Sequence, residues 1–426
     1  MTQINSSGYS PSTLSKLPAV RTFQMDEGGI GNIPNSVNLF RGDVNLPLEL
    51  ISLPGRGDLD VKVAIMYQSN IQNLVDTWNL DAATGILGLG WNMPYEMIAI
   101  DNTTTGSTYD DQYSLIAGGS ANRLHQDGVT EDGAWNFETE DYKPWDIRYY
   151  PKKERWVIVK ENGVVQTYGG DINQDADKNI YIQWGVKWGG RNGNWIDSST
   201  NTSRQQQFPL AWNLREIRNT WGEKVTFDYQ VDLEEIGFGG YKYTKACYLK
   251  RITALDGPTV TFIYQPKQVK EYQIPHEYSR QPNLHAYQDR YETKFLDSIE
   301  IKEQSDSLLF SVKFDYELNN VSLNDINNGD FSKRYLKEII QKNDVGESLP
   351  GYRFEYYTDS KDINENSHRG ALKTITYPTG GIATFTYEKQ NLVGTSHKTT
   401  IYSEGIPRVW FGGDYVVVVY YDDSGR

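Results

Sequence analysis

The stretch that decides the fold starts at Leu214-Arg215-Glu216-Ile217 and ends at Phe227-Asp228-Tyr229. The same frame, Leu-x-x-Ile, a turn region, then Phe-x-Tyr, returns four times. It is found at Leu249/Ile252 with Phe262/Tyr264 and at Leu296/Ile299 with Phe314/Tyr316. It recurs at Leu336/Ile339 with Phe354/Tyr356 and at Leu372/Ile375 with Phe385/Tyr387. From Ile to Phe the spacing is 10, 10, 15, 15 and 10 residues. A shared frame with a variable middle describes a hairpin repeat with loop insertions. Phe and Tyr two apart lie on one face of a strand. Leu and Ile three apart break strict alternation, so a bulge or turn is expected at that position. A helix would also accept Leu and Ile at this spacing. Against it, the segments run quickly into turn-prone residues such as Asp256-Gly257 and Pro378-Thr379-Gly380-Gly381. Stacked hairpins would bury one continuous row of Leu, Ile, Phe and Tyr and hide strand edges against their neighbours.

Upstream, two runs alternate with period two: Val44, Leu46, Leu48, Leu50, then Leu59, Val61, Val63, Ile65, Tyr67. The turn Pro54-Gly55-Arg56-Gly57 separates them, which predicts a hairpin with one buried face. A polar loop runs from Gln68 to Thr84, and Gly88-Leu89-Gly90-Trp91 then delivers an aromatic into the next strand. A second hairpin is predicted over Arg155 to Tyr168. There Asn162-Gly163 would supply the positive φ values of a type I′ turn. Residues 1–35 are polar, with Gly28, Gly29 and Gly31, and are expected to form a pliable lead-in.

The bulk numbers agree with an all-β chain. Of 426 residues, 30 are Tyr, 11 Trp and 38 Gly, a mixture suited to short half-buried strands and tight turns. Forty-two basic against 56 acidic residues leave a net charge of −14, which disfavours nucleic acid and anionic lipid. No stretch approaches the ~18 apolar residues of a membrane helix. The N-terminus lacks the apolar core of a secretory signal. Cys247 is the single cysteine, so no intramolecular disulfide is available. Next to Tyr248 and Leu249 it reads as a small buried residue.

These motifs resemble RHS/YD-repeat proteins, and more narrowly the SpvB-like N-terminal region of the B component of insecticidal Tc toxins. The resemblance is carried first by Gly42-Asp43-Val44-Asn45-Leu46-Pro47-Leu48-Glu49-Leu50 and Leu53-Pro54-Gly55-Arg56-Gly57-Asp58-Leu59. Tyr67-Gln68-Ser69 and Gly88-Leu89-Gly90-Trp91-Asn92-Met93 follow in the family's order. Asp111-Gln112-Tyr113-Ser114-Leu115, Trp212-Asn213-Leu214 and Tyr377-Pro378-Thr379-Gly380-Gly381 are also typical. The match spans about residues 36 to 390. Two departures stand out: the loop from Gln68 to Thr84 is longer than the family's compact link, and members usually run well beyond the length seen here. The chain is therefore expected to be an N-terminal portion of something longer.

The resemblance implies an antiparallel hairpin strip curved into a shell. It divides the chain into an SpvB-like region at 36–205, RHS-like repeats at 206–395, and the start of a further β module or a truncated end at 396–426. It implies a non-catalytic subunit that encapsulates a toxic cargo, with a C-terminal or separate-chain toxin and a delivery component as partners. Such a protein would be made in the cytoplasm and secreted by a route that needs no signal peptide.

Chemical candidates are few. Asp171, Asn173, Asp175 and Asp177 place oxygen ligands at alternate positions of a loop, as a calcium ion would need. The EF-hand pattern is not met, because Ala176 and Ile182 stand where Gly and Glu belong. Trp184, Trp188 and Trp195, close to Gly185, Gly189, Gly190 and Gly193, could form a stacking platform for a glycan. That makes an adhesin or carbohydrate-binding protein the first rival reading. A hydrolase using an unrecognised carboxylate is the second. Arg56-Gly57-Asp58 spells an adhesion tripeptide but reads first as a turn. The five His (His125, His276, His285, His368, His397) fall in no ligand or catalytic spacing.

Overall fold

The computed structural model describes residues 44–69, 71, 83–101, 112–117, 120–171, 173–174, 179–188, 205–235, 242–272, 290–321, 331–357, 369–387, 407–412 and 415–420. The lead-in, most of the loop after Gln68 and the segments between repeat units lie outside them. Strands dominate, as the composition predicts. Among the described residues no helix is long and apolar enough to cross a membrane.

Three strands open the chain: β1 (Asn45–Leu53), β2 (Val61–Gln68) and β3 (Trp91–Asn92), an antiparallel sheet in that order. The predicted hairpin is there, with Leu46 opposite Tyr67 and Leu48 opposite Ile65. A bulge between Glu49 and Ile51 resets the alternation, so Leu50 and Ile51 are both fully buried.

Next come β4 (Met97–Asp101), β5 (Gln112–Ala117), β6 (Ser120–Val129), β7 (Trp135–Thr139), β8 (Asp146–Tyr150), β9 (Arg155–Val159), β10 (Val165–Gly169), β11 (Ile182–Trp188) and β12 (Gln205–Arg218). Strands β4 to β10 pair in succession. Both ends of that series then pair with β12: β4 through Ala211–Asn213 and β10 through Leu214–Arg218. The result is a closed eight-stranded barrel, with β11 alongside β12. Eight strands leave an interior that side chains can fill. Here the filling is aromatic. Tyr149 and Trp156 stack at 4.7 Å, Phe137 meets Trp156 at 4.7 Å, and Trp212 sits 5.6 Å from Trp156. Ile98, Leu115, Leu124, Ile158 and Leu214 complete the same core.

The Arg155–Tyr168 hairpin forms, with Val159 opposite Val165. Its turn differs from the expected type I′. Lys160 C=O accepts from Gly163 N–H and Lys160 N–H donates to Val164 C=O, both at 2.9 Å. Gly163 has φ +78°, whereas Asn162 is not among the positive-φ residues. This is a type I turn closed by a left-handed residue, the three-residue alternative for a hairpin. Asn162 contributes through its side chain instead, its Oδ1 accepting from Val164 N–H at 3.2 Å.

From β12 the repeats run as β13 (Lys224–Glu235), β14 (Lys242–Ala254), β15 (Thr259–Pro266), β16 (Lys294–Lys302), β17 (Leu308–Val321), β18 (Phe331–Asn343), β19 (Tyr352–Tyr356), β20 (Leu372–Thr376) and β21 (Ile382–Thr384). Each pairs antiparallel with the next in one continuous strip. The expected bulge is present, and its partner explains the spacing. Phe227 and Tyr229 oppose Ile252 and Leu249, and Phe262 and Tyr264 oppose Ile299 and Leu296. Phe314 and Tyr316 oppose Ile339 and Leu336, and Phe354 and Tyr356 oppose Ile375 and Leu372. A Leu-x-x-Ile run thus carries one extra residue against the previous unit's Phe-x-Tyr: Lys250, Asp297, Lys337 or Lys373. All four bulged residues are charged.

The longer units differ from the expectation of loop insertions. All five turns share one five-residue frame: Asn219–Glu223, Ala254–Pro258, Glu303–Ser307, Asn343–Glu347 and Tyr377–Gly381. The additional residues lie in the arms. The third unit pairs Ser298 to Lys302 with Lys313 back to Leu308, past a second bulge at Ile301/Lys302. Insertion there lengthens the hairpin and leaves its tip unchanged.

The chain divides into two compact units, 1–386 and 387–426. In the second unit β22 (Pro407–Gly412) and β23 (Tyr415–Tyr420) form an antiparallel hairpin, Phe411 opposite Val416.

Candidate functional site

Within each repeat the two strands pair near the turn and then part. In the first unit the ladder between β12 and β13 runs from Arg218 and Lys224 to Glu216 and Thr226, and ends there. The Leu214 carbonyl beyond it would be left without a cross-strand donor. The hydroxyl of Tyr229 supplies one at 2.8 Å. Tyr264 does the same for Leu249 at 2.8 Å, Tyr356 for Leu336 at 2.6 Å, and Tyr316 for Leu296. Burial is the main cause holding Tyr229 and Tyr356 well above the usual phenol range, which keeps them as donors.

Tyr67 of β2 and residues of the stretch 86–96 are wedged into these openings. Leu214 N–H donates to Glu96 C=O at 3.0 Å, Leu296 N–H to Ile86 C=O at 2.9 Å, and Leu372 N–H to the Tyr67 hydroxyl at 2.9 Å. Leu89 N–H donates to Arg334 C=O at 2.8 Å, and the Trp91 indole N–H donates to Tyr356 at 2.9 Å. The Gly-Leu-Gly-Trp motif is therefore a clamp that closes the N-terminal sheet onto the strip.

Two buried charges reinforce that clamp. Arg334 makes two hydrogen bonds to Glu271, at 2.8 and 2.7 Å, and its guanidinium lies 3.7 Å from the centre of the Phe295 ring. Lys267 donates to the carbonyls of Thr84 and Glu292. Burial pushes Lys267 down to about 8.

Where the wedge meets β12 it lines a cavity of about 470 Å³. Its walls come from β2 (Val61, Val63), from Met93 to Glu96, from the β9–β10 hairpin, and from the first two repeats (Ile217, Phe227, Ile252). The wall is mostly apolar. Among its polar residues is the half-buried Glu96, whose Oε2 accepts from the buried Gln166 amide at 3.0 Å and the Tyr168 hydroxyl at 3.1 Å. Burial, then the Glu96 charge, raise Tyr168 well above the phenol range. Lys62 and Lys160 stand at the same cavity. Sequence reading passed over Glu96. Its one signal was a carboxylate set among the apolar and aromatic residues of Trp91 to Met97.

A second carboxyl, Glu154, lies against the barrel core. The Tyr149 hydroxyl and the Trp212 indole both donate to its Oε2, the latter at 3.3 Å. Burial raises its pKa despite those two donors. Cys247 accepts from the Asn213 amide at 3.3 Å, and burial pushes its thiol up to about 12. A thiol held that far from ionisation is poorly suited to attack.

The residues singled out from sequence are placed as follows. Asp171 Oδ1 accepts from the Asn173 backbone at 3.1 Å and from its side chain at 2.9 Å, an Asx turn. Asp175 and Asp177 lie outside the described residues. Among the described residues no three acidic, His or Cys side chains gather as a metal site. Trp184 is buried in the barrel core, so it offers no exposed face for a sugar. Trp188 ends β11, its side chain outside the description, and Trp195 lies outside it altogether. Arg56-Gly57-Asp58 forms a single 3-10 turn, with Gly57 at φ +60° and its carbonyl accepting from the Asn219 amide at 3.2 Å. His125 is exposed on β6, and the other four His lie outside the described residues.

No protein-family model and no curated protein sequence matches the chain. Similar solved structures include an effector domain and Tc-toxin assemblies. The N-terminal domain of the effector SpvB from Salmonella typhimurium shares 12% identity at TM-score 0.40, over 70% of this chain and 99% of that one. TcdB2-TccC3 without its hypervariable C-terminal region shares 13% at TM-score 0.44, over 74% of this chain and 16% of that one. The Photorhabdus luminescens Tc holotoxin pore shares 12% at TM-score 0.44, over 90% of this chain and 21% of that one. The chain thus spans a small part of the Tc-toxin chains it resembles. Likeness at this level assigns neither a site nor an activity.

Proposed function

We propose that this chain is a structural shell segment of an RHS/Tc-type toxin complex, one that encloses a toxic cargo domain and helps deliver it. The observation that carries the reading is the bulge repeated at the same row of every repeat. A bulge bends its strand and increases the local right-handed twist. Repeated unit after unit in one register, it bends the strip in the same sense each time, which is how a sheet becomes a wall around a space. The resemblance of the motifs between residues 36 and 390 points the same way.

On this reading the chain performs no catalysis itself. Cys247, Glu154 and Glu96 all have partners that a structural role accounts for. The partners are a toxin domain, continuous with the chain or separate, and a component that carries the assembly to its target. The chain would be made in the cytoplasm and act outside the cell that makes it. A net charge of −14 disfavours nucleic acid as a partner.

The test is an electron-microscopy envelope of the native assembly purified with whatever co-elutes. A hollow particle bound to a second component supports containment. A solid particle, alone in solution, overturns it.

A further inference from the structure

The geometry points to the cavity beside Glu96 as a binding site for a primary alkylammonium group. The cavity, about 470 Å³, lies within the range of small-molecule pockets, ~300–1,000 Å³. Its walls are mostly aliphatic and aromatic, which suits an alkyl chain, with Asp60, Lys62, Glu96, Lys160, Asn162 and Gln166 as the polar residues among them. Glu96 supplies the polar end. Both of its donors, Gln166 and Tyr168, reach the same oxygen, Oε2. No hydrogen bond or ion pair to Oε1 occurs among the described residues. The two donors are neutral, so they orient the carboxylate without cancelling its charge. Phe227, Tyr95 and Tyr229 also line the cavity, with Tyr95 and Tyr229 paired at 5.6 Å. Aromatic faces near a carboxylate favour a cation over a neutral or anionic head. Lys62 and Lys160 are the competing feature, since they would favour an acid.

The shared chemistry is an ammonium on a flexible aliphatic stem, carried by a free amine or by a lysine of another polypeptide. The experiment titrates the full chain with n-hexylammonium, hexan-1-ol and hexanoate by calorimetry. Hexylammonium is expected to bind about tenfold more tightly than hexanol, about 1.4 kcal/mol, with hexanoate weakest. Glu96→Gln should remove that preference and leave hexanol binding unchanged. Val164→Phe, which adds bulk to the cavity wall and keeps the Glu96 carboxyl, should weaken all three. Hexanoate binding as well as hexylammonium overturns the proposal, as does an ammonium preference that survives Glu96→Gln. If Glu96→Gln fails to fold, the ranking of the three probes on the unaltered chain decides alone. Binding of Nα-acetyl-lysine N-methylamide comparable to hexylammonium assigns the site to a polypeptide lysine. Binding of the free amine alone assigns it to a small molecule.

Discussion

Tyr229 donates its hydroxyl to the carbonyl of Leu214, the residue that opens its own repeat, at the point where the two strands of that repeat part. The same bond recurs from Tyr264 to Leu249 and from Tyr356 to Leu336. Each of the first four hairpins, with Tyr316 donating to Leu296 in the third, can open without leaving that carbonyl unsatisfied, because the repeat brings its own donor.

Replacing one of these tyrosines by Phe keeps the ring and removes the donor. Tyr264→Phe is expected to cost about 1–2 kcal/mol, the penalty for an unsatisfied buried acceptor. Tyr356→Phe should cost more, about 2–3 kcal/mol, because the Trp91 indole loses its acceptor as well. Tyr142→Phe, at an exposed ring, should change nothing measurable. Urea denaturation of the three variants checks the order. Equal losses at all three positions would contradict it.

The repeat was legible because its chemistry is local: Leu-x-x-Ile against Phe-x-Tyr is written in spacing alone, and so was the bulge. The identity of Asn162-Gly163 marked a turn, but its type depends on how many residues the loop holds. The barrel was not legible. Its strands share no motif, and its closure rests on β12 meeting both β4 and β10, pairings such as Ile98 with Trp212 that no short window contains. Trp184 misled for the same reason. A Trp among glycines looks exposed, whereas this one is enclosed by strands distant in sequence. Glu96 escaped notice because a carboxylate becomes notable only once the walls around it are known.

The buried pair Arg334–Glu271 ties the 3-10 turn Val269–Glu271 to β18. Removing one partner leaves an uncompensated charge in the core, which costs about 3–5 kcal/mol. Arg334→Met and Glu271→Leu should each be strongly destabilising. The double variant should recover much of the loss, since an apolar pair of similar volume needs no compensation. A double-mutant cycle by chemical denaturation measures the coupling. Additive losses would show that the two side chains do not depend on each other.

Glu154 gives a pH dependence of definite sign. Its folded-state pKa is raised by burial, so the folded chain holds this proton more tightly than the unfolded chain does. The contribution is fully present below the ordinary carboxylate pKa and is lost as pH rises through the raised value. Glu154→Gln keeps an acceptor for Tyr149 and Trp212 and cannot ionise. The variant should therefore gain stability relative to the unaltered protein as pH rises from 4 towards neutrality, read from paired denaturation curves. A gap between the two proteins that stays constant with pH would remove Glu154 as its source.

Gly88 and Gly380 share a left-handed backbone, φ +90° and +86°, but not a neighbourhood. At Gly380, at the tip of the fifth repeat, an added Cβ meets nothing within 4 Å. At Gly88 it would lie 2.6 Å from the Arg334 carbonyl oxygen, the acceptor for Leu89. Alanine at either site incurs the left-handed strain, about 1–2 kcal/mol. Only Gly88→Ala must also push the Gly-Leu-Gly-Trp segment off β18. It should lose clearly more stability than Gly380→Ala. It should also change the fluorescence of Trp91, which packs 4.8 Å from Phe354 in the clamp. Equal losses with unchanged fluorescence would mean that the clamp yields without cost, and the close approach at Gly88 would then be incidental to how the N-terminal sheet is held.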